Sequence, residues 1–205
     1  MAADRLAELV HDGFDLGFVS TSEQTTAYAR GLGLEVLDID CVESIDVTID
    51  GADEVGPRLD LIKGLGGALL REKIVASMTE KEVIVVDEFK VVDRLGTFAP
   101  LPVEVCGFAH VATARALEGL GCKPVLRLKD GRPFVTDGGN LIYDCRFDGI
   151  DDPSYLETAI DTIPGVVECG LFVGLTNAVE AYREEDDSVV ELRITDRRAG
   201  PRGSP

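Results

Sequence analysis

Leu6, Leu9 and Val10 recur at helical spacing within residues 1–10, so the chain opens on a helix. The apolar run at 15–19 reads as a short strand, and Ser20-Thr21-Ser22 after it can cap a second helix over 22–31, closed by Gly31 and Gly33. Residues 34–37 and 45–49 read as further strands, the second running straight into Asp50-Gly51-Ala52-Asp53-Glu54. A loop of Lys63-Gly64-Leu65-Gly66-Gly67 then precedes a helix over 68–78. The four-residue apolar strand 83–86 follows, bracketed by charged residues. Strand, helix and strand in alternation, with apolar central strands, predict a mostly parallel sheet covered by helices.

The pattern changes near 96–102. Beyond it come a strand at 102–106, a helix at 109–120, strands at 124–128 and 140–146 with a hairpin or edge fragment at 133–136, a helix at 153–162 and a strand at 165–173. This is β-α-β-β-α-β, the ferredoxin-like order, and Lys129-Asp130-Gly131-Arg132 and Asp137-Gly138-Gly139-Asn140 supply its turns. A helical or irregular stretch from 174 and a final strand at 189–194 complete the chain, with a frayed tail over 196–205. The expected fold class is therefore α/β. A Rossmann-like parallel-sheet domain (1–96 plus 174–205) carries an inserted ferredoxin-like α+β lobe (97–173).

Charge changes the picture. Lys and Arg total 20 against 38 Asp and Glu, a formal net charge of −18, and only six of the basic residues are Lys. Such a surface repels nucleic-acid phosphates and anionic membranes, so neither is expected as a partner. Abundant carboxylates with scarce Lys suggest a salt-rich cytoplasm, where short screening lengths make dense charge tolerable. The five Cys include no C-x-x-C pair, and His11 and His110 form no zinc pattern. Buried, reduced thiols in a cytoplasmic protein are expected, with no metal site. No apolar run reaches membrane-spanning length.

The chemistry concentrates in 50–90. Ligands of parallel sheets sit at the carboxyl ends of strands, which is where Asp50 and Asp53 fall; Gly51 and Ala52 keep the turn small enough for both carboxylates to reach one crevice. Paired carboxylates can relay protons between hydroxyls, although a capped helix start would use the same residues. Successive glycines 64, 66 and 67 allow backbone N–H groups to form an anion nest beside Lys63, or simply make a tight turn. The loop lacks the third glycine of a dinucleotide fingerprint, since Leu69 stands there. Glu72, between Arg71 and Lys73, is either one of a solvated charge run or a carboxylate pointing into the crevice, with Leu69, Leu70 and Ile74 packing its helix. Lys90 adds a cation after strand 83–86, a place where an exposed surface lysine would also occur.

The order of these segments carries more than any one of them. Asp50-Gly-Ala-Asp53-Glu54, Leu61-Ile62-Lys63-Gly64-x-Gly66 and Leu70-Arg71-Glu72-Lys73 together resemble the active-site sequence of type A ribose-5-phosphate isomerases. The similarity continues through Val92-Asp93-x-Leu95-Gly96, Leu101-Pro102-Val103-Glu104-Val105, Thr136-Asp137-x-Gly139-Asn140 and Ile163-Pro164-Gly165-Val166-Val167. What the resemblance implies is interconversion of ribose 5-phosphate and ribulose 5-phosphate in the non-oxidative pentose phosphate pathway, by a homodimer or homotetramer without metal or organic cofactor. It implies Glu72 as the base moving a proton between C1 and C2, with Asp50 and Asp53 near the sugar hydroxyls. Lys63 and the loop Gly64, Leu65 and Gly66 would stabilise the oxyanion, and Gly51, Ala52 and Lys90 would contact substrate. Two departures stand out: Leu65 replaces a frequent glycine, and the family's first helix, strand and Gly-Thr-Gly-Ser-Thr phosphate loop have no counterpart here. An N-terminally truncated domain with impaired turnover is therefore expected. A sugar-phosphate sensor or inactive remnant on the same scaffold is the alternative, as is a related deaminase or lactonase; a sensor has no need to keep Asp50, Asp53, Lys63 and Glu72 together.

Overall fold

The computed structural model describes residues 2–193; the expected frayed tail at 196–205 lies outside the described residues. In chain order the elements are α1 (Ala2–His11), α2 (Glu23–Gly31), β1 (Ile45–Asp50), β2 (Glu54–Val55), β3 (Leu61–Ile62), α3 (Leu69–Ser77), β4 (Thr79–Asp87), β5 (Leu101–Val105), α4 (His110–Glu118), β6 (Lys123–Leu126), β7 (Leu128–Lys129), β8 (Arg132–Pro133), β9 (Leu141–Arg146), α5 (Pro153–Asp161), β10 (Val166–Cys169), β11 (Leu171–Phe172), β12 (Ala178–Arg183) and β13 (Ser188–Arg193). Ser22 caps α2 as its sequence predicts, accepting a hydrogen bond from the Thr25 amide at 3.0 Å.

The first sheet has the order β1-β4-β12-β13, with β1, β4 and β12 parallel and β13 antiparallel at the edge. Its inner face buries Ile84, Val86, Val179 and Ala181 together with Val55, Leu61, Ala76 and Phe172. The opposite face leaves Val47, Ile49 and Val85 about half exposed, so helical cover of both faces, expected from the apolar strands, is partial. The strands expected at 15–19 and 34–37 contract to one parallel bridge, Phe18 with Val36, because neither finds a second strand to extend the ladder. Strand β12 was hidden in the sequence within a stretch read as helical or irregular.

The second sheet, β10-β5-β9-β6, is antiparallel throughout, and β5-α4-β6-β9-α5-β10 has the ferredoxin-like order. Asp130 and Gly131, with φ of 53° and 75°, make the two-residue turn of the small hairpin β7–β8. Its core gathers Leu101, Val103, Val105, Leu117, Tyr143, Cys145 and Ile160. The single strand expected at 165–173 breaks at Gly170 into β10 and β11. A Cβ on Gly170 would stand 2.2 Å from the Lys63 carbonyl, so only glycine permits the crossing. There Gly170 accepts from the Lys63 amide and donates to the Pro102 carbonyl, both at 2.8 Å. Beyond it β11 joins β3 and β2 in a three-stranded sheet, which ties the two larger sheets together beneath Lys63.

Of the five cysteines, Cys122, Cys145 and Cys169 are buried thiols, whereas Cys41 and Cys106 are exposed, contrary to the expectation of general burial. No helix among the described residues is long and apolar enough to cross a membrane.

Glu54 closes the acidic pentapeptide but faces away from the other two carboxylates. Its side chain is buried and accepts backbone N–H bonds from Gly96 (2.6 Å), Phe98 (2.5 Å) and Ala99 (2.7 Å), fixing the crossing into the second lobe. Glu54→Gln replaces one acceptor oxygen by a donor and removes the charge from this nest. We expect a loss of about 2–4 kcal/mol in unfolding free energy, read from the urea midpoint, and an unchanged midpoint would contradict the assignment.

Candidate active site

At the carboxyl end of β1 the chain turns through Asp50–Asp53, and the glycine loop lies across from it. Asp50, Gly51, Ala52, Asp53, Lys63, Gly64, Gly66, Glu72 and Lys90 line one cleft of about 190 Å³. All the residues singled out from the sequence except Leu65 therefore meet in one place. Leu65 is 45% exposed and contributes to the loop through its backbone. Larger hollows lie beside the β7–β8 hairpin (510 Å³) and between Gly56–Asp60 and Asp93–Ile150 (340 Å³), but neither brings carboxylates around a buried lysine.

Lys63 is the centre of the cleft. It follows directly on β3, is only 3% exposed, and donates to Asp50 Oδ2 at 2.9 Å and to the Gly51 carbonyl. Its Nζ stands 3.4 Å from Glu72 Oε2 and 5.4 Å from the centre of the Phe172 ring. Burial opposes its charge, but Glu72 and then Asp50 outweigh burial and hold the ammonium above its ordinary value. Asp53 Oδ2 accepts the Leu65 amide at 2.9 Å, joining the acidic turn to the glycine loop. Lys90, in the turn after β4, donates to the Ala52 carbonyl at 2.8 Å.

The Arg71-Glu72-Lys73 triplet is not a solvated charge run. Successive helical residues point about 100° apart, and here each finds a different neighbourhood. Arg71 reaches Glu23 of α2 at 2.9 Å and Asp137 at 3.5 Å. Lys73 turns to Glu168 of β10 at 2.6 Å and Glu157 of α5 at 3.0 Å, binding α3 to the second lobe. Glu72 alone enters the cleft. Leu69, Val75 and Ala76 pack the helix, while Ile74, expected to do so, is 45% exposed. Burial raises the Glu72 pKa above the ordinary carboxylate value, with Lys63 pulling against it and Asp50 adding to it. Its Oε2 is buried without an aligned hydrogen-bond donor. A carboxylate so placed is available to take a proton.

Glu82 carries no signal in the sequence, yet it belongs to this electrostatic group. It pairs with Thr48 across the β1–β4 ladder, is 1% exposed, and has no partner for Oε2. Burial first, then the Asp50 carboxylate, push its pKa up to about 7 against the pull of Lys63. The folded state thus holds this proton more tightly than the unfolded chain. That contribution is full below the ordinary value of 4.5 and is lost as pH rises to about 7. Glu82→Gln should raise the thermal midpoint relative to wild type by more at pH 8 than at pH 4. An equal change at both pH values would contradict the burial argument.

Asp161, Glu168 and Cys169 place one ligand atom each within 4.8 Å of one another. Glu168 is already taken by Lys73 at 2.6 Å, and burial pushes the Cys169 thiol up to about 12, so the cluster behaves as an ion-pair anchor.

A parallel-sheet scaffold with a buried carboxylate, a buried lysine and a glycine loop at its strand ends has the make-up of an enzyme's ligand site. Over residues 17–186 the chain matches the family model of ribose 5-phosphate isomerase A (phosphoriboisomerase A). It is 53% identical over 179 residues to the ribose-5-phosphate isomerase A of Gloeobacter violaceus, across 87% of this chain and 78% of that relative. A solved D-ribose-5-phosphate isomerase in complex with phospho-erythronic acid superposes with a TM-score of 0.89 at 38% identity, covering 93% of this chain and 84% of the other. The enzyme of Methanocaldococcus jannaschii superposes at 0.87 with 35% identity, over 93% and 84% of the two chains. The chain belongs to the ribose 5-phosphate isomerase A family.

Proposed function

We propose that the protein interconverts D-ribose 5-phosphate and D-ribulose 5-phosphate through an enediolate. The observation that carries this reading is the buried Glu72 carboxylate, facing the cleft 3.4 Å from the Lys63 ammonium. In the open-chain aldose, Glu72 takes the proton from C2, the C–H electron pair forms the C1–C2 double bond, and the carbonyl oxygen becomes an oxyanion. Return of a proton to C1 gives the ketose, with O1 gaining and O2 losing a proton, so no external oxidant or reductant is required. Lys63 and the glycine loop stabilise the oxyanion, which costs little reorganisation because Lys63 is already fixed by Asp50 and Gly51. Asp50 and Asp53 move the hydroxyl protons, and Lys90 contacts substrate.

The structural relative bound to phospho-erythronic acid supports a sugar-phosphate ligand, because a carboxylate beside a hydroxyl carbon imitates the planar enediolate. In the same reading, residues 1–96 with 174–205 form the isomerase domain and 97–173 the inserted lobe, with residue 1 and residues 194–205 outside the described residues. A cytoplasmic homodimer or homotetramer completes it, on the strength of family membership. Incubation of the folded protein with ribose 5-phosphate at high salt tests the proposal: ketose should accumulate to the same equilibrium ratio from either direction. Absence of ketose from a folded sample, at protein concentrations high enough to detect impaired turnover, would overturn it.

A further inference from the structure

The glycine loop has an unexpected partner in the second lobe. Arg127, in the break between β6 and β7, donates from Nη1 to the carbonyls of Gly64 at 2.9 Å and Leu65 at 3.0 Å. The other side of the same guanidinium grips Asp144 of β9, Nε to Oδ2 at 3.0 Å and Nη2 to Oδ1. This planar fork is fixed at one end by a carboxylate on a central strand and at the other by two successive peptide groups. Phe134 stacks against the same region: its ring centre lies 5.9 Å from the guanidinium, and a Cβ on Gly67 would stand 2.5 Å from the ring.

The direction of the loop's amides follows from peptide geometry. Every peptide bond among the described residues is trans, so a carbonyl and the N–H of the next residue point opposite ways. Drawing the Gly64 carbonyl to Arg127 sends the Leu65 N–H the other way, where it meets the cleft carboxylate Asp53 at 2.9 Å. Drawing the Leu65 carbonyl likewise sends the Gly66 N–H toward the cleft that Gly66 lines, and this N–H has no acceptor among the described residues.

We propose that Arg127, anchored by Asp144, is a positioning residue for isomerisation: it orients the Gly64-Leu65-Gly66 peptides so that the Gly66 N–H is aimed at the developing oxyanion. Arg127 itself does not touch substrate. Its contribution is realised in the transition state, where the oxygen carries more charge than in the bound sugar. The inference rests on the isomerase reading given above.

Steady-state kinetics of Arg127→Ala tests it. Loss of one preorganised oxyanion donor predicts a fall of about 100-fold in kcat with KM within about threefold of wild type. Added guanidinium ion at millimolar concentration should restore part of the kcat of Arg127→Ala and leave wild type and Glu72→Gln unaffected, a rescue that a merely structural role would not give. The Arg127→Ala/Asp144→Asn double variant should be no slower than Arg127→Ala alone, because the two residues act as one unit. Should Arg127→Ala fail to fold, Arg127→Lys carries the test: an ammonium cannot span Asp144 and two carbonyls, so its kcat must also fall. Unchanged kcat, a loss confined to KM, or no rescue overturns the inference. An inert wild type would instead sink the isomerase reading, so the two failures are distinguishable.

Discussion

Glu72→Gln should lower kcat for ribose 5-phosphate by about 10³-fold while leaving KM within about threefold of wild type. The amide keeps the size of the carboxylate and its place on α3, so substrate still meets Lys63, Asp50 and the glycine loop. What it cannot do is accept a proton from carbon. Burial makes the native carboxylate a stronger base than an exposed one, while the Lys63 ammonium pulls in the opposite direction. Rates near wild type for Glu72→Gln would remove Glu72 from its role.

Lys63→Met should be as severe in rate and should also move the pH profile. The methionine fills the space beside Phe172 but leaves Asp50 and Glu72 facing each other without a cation. We expect kcat/KM to fall by about 10²–10³-fold, since the proposed mechanism assigns the ammonium to stabilising the forming oxyanion. Removing the group that lowers the Glu72 pKa lets burial and Asp50 raise it further. Glu72 must be ionised to act, so the acidic limb of the kcat/KM profile should shift to higher pH. A limb that stays in place would show that Lys63 does not couple to the base.

Asp50, Asp53, Lys63 and Glu72 were singled out by the family resemblance of their ordered segments; taken one by one, a capped helix start, a tight glycine turn and a solvated charge run fitted them as well. The structure brings all four to one cleft. Reading Arg71, Glu72 and Lys73 apart required the structure, since their partners Glu23, Asp137, Glu157 and Glu168 come from distant elements. Arg127 and Asp144 were silent for the same reason: Arg127 precedes a turn sequence and gives no sign that it serves a loop 62 residues earlier. Strand β12 was missed because Ala178-Val179-Glu180-Ala181 has the composition of a helix. It is a strand because β4 and β13 hydrogen-bond to both of its edges, and its Ala178, Val179 and Ala181 are buried. Conversely, the apolar segments at 15–19 and 34–37 have strand composition with one bridging pair to show for it. Pairing, which no local window contains, decides in both directions.

The fate of the C2 hydrogen tests the central claim most directly. Ribose 5-phosphate carrying deuterium at C2 should lose it from that carbon during turnover by the wild-type protein, with a primary isotope effect on the rate. With Glu72→Gln at saturating substrate the deuterium should stay at C2. Its departure from C2 at the wild-type rate in that variant would contradict the account.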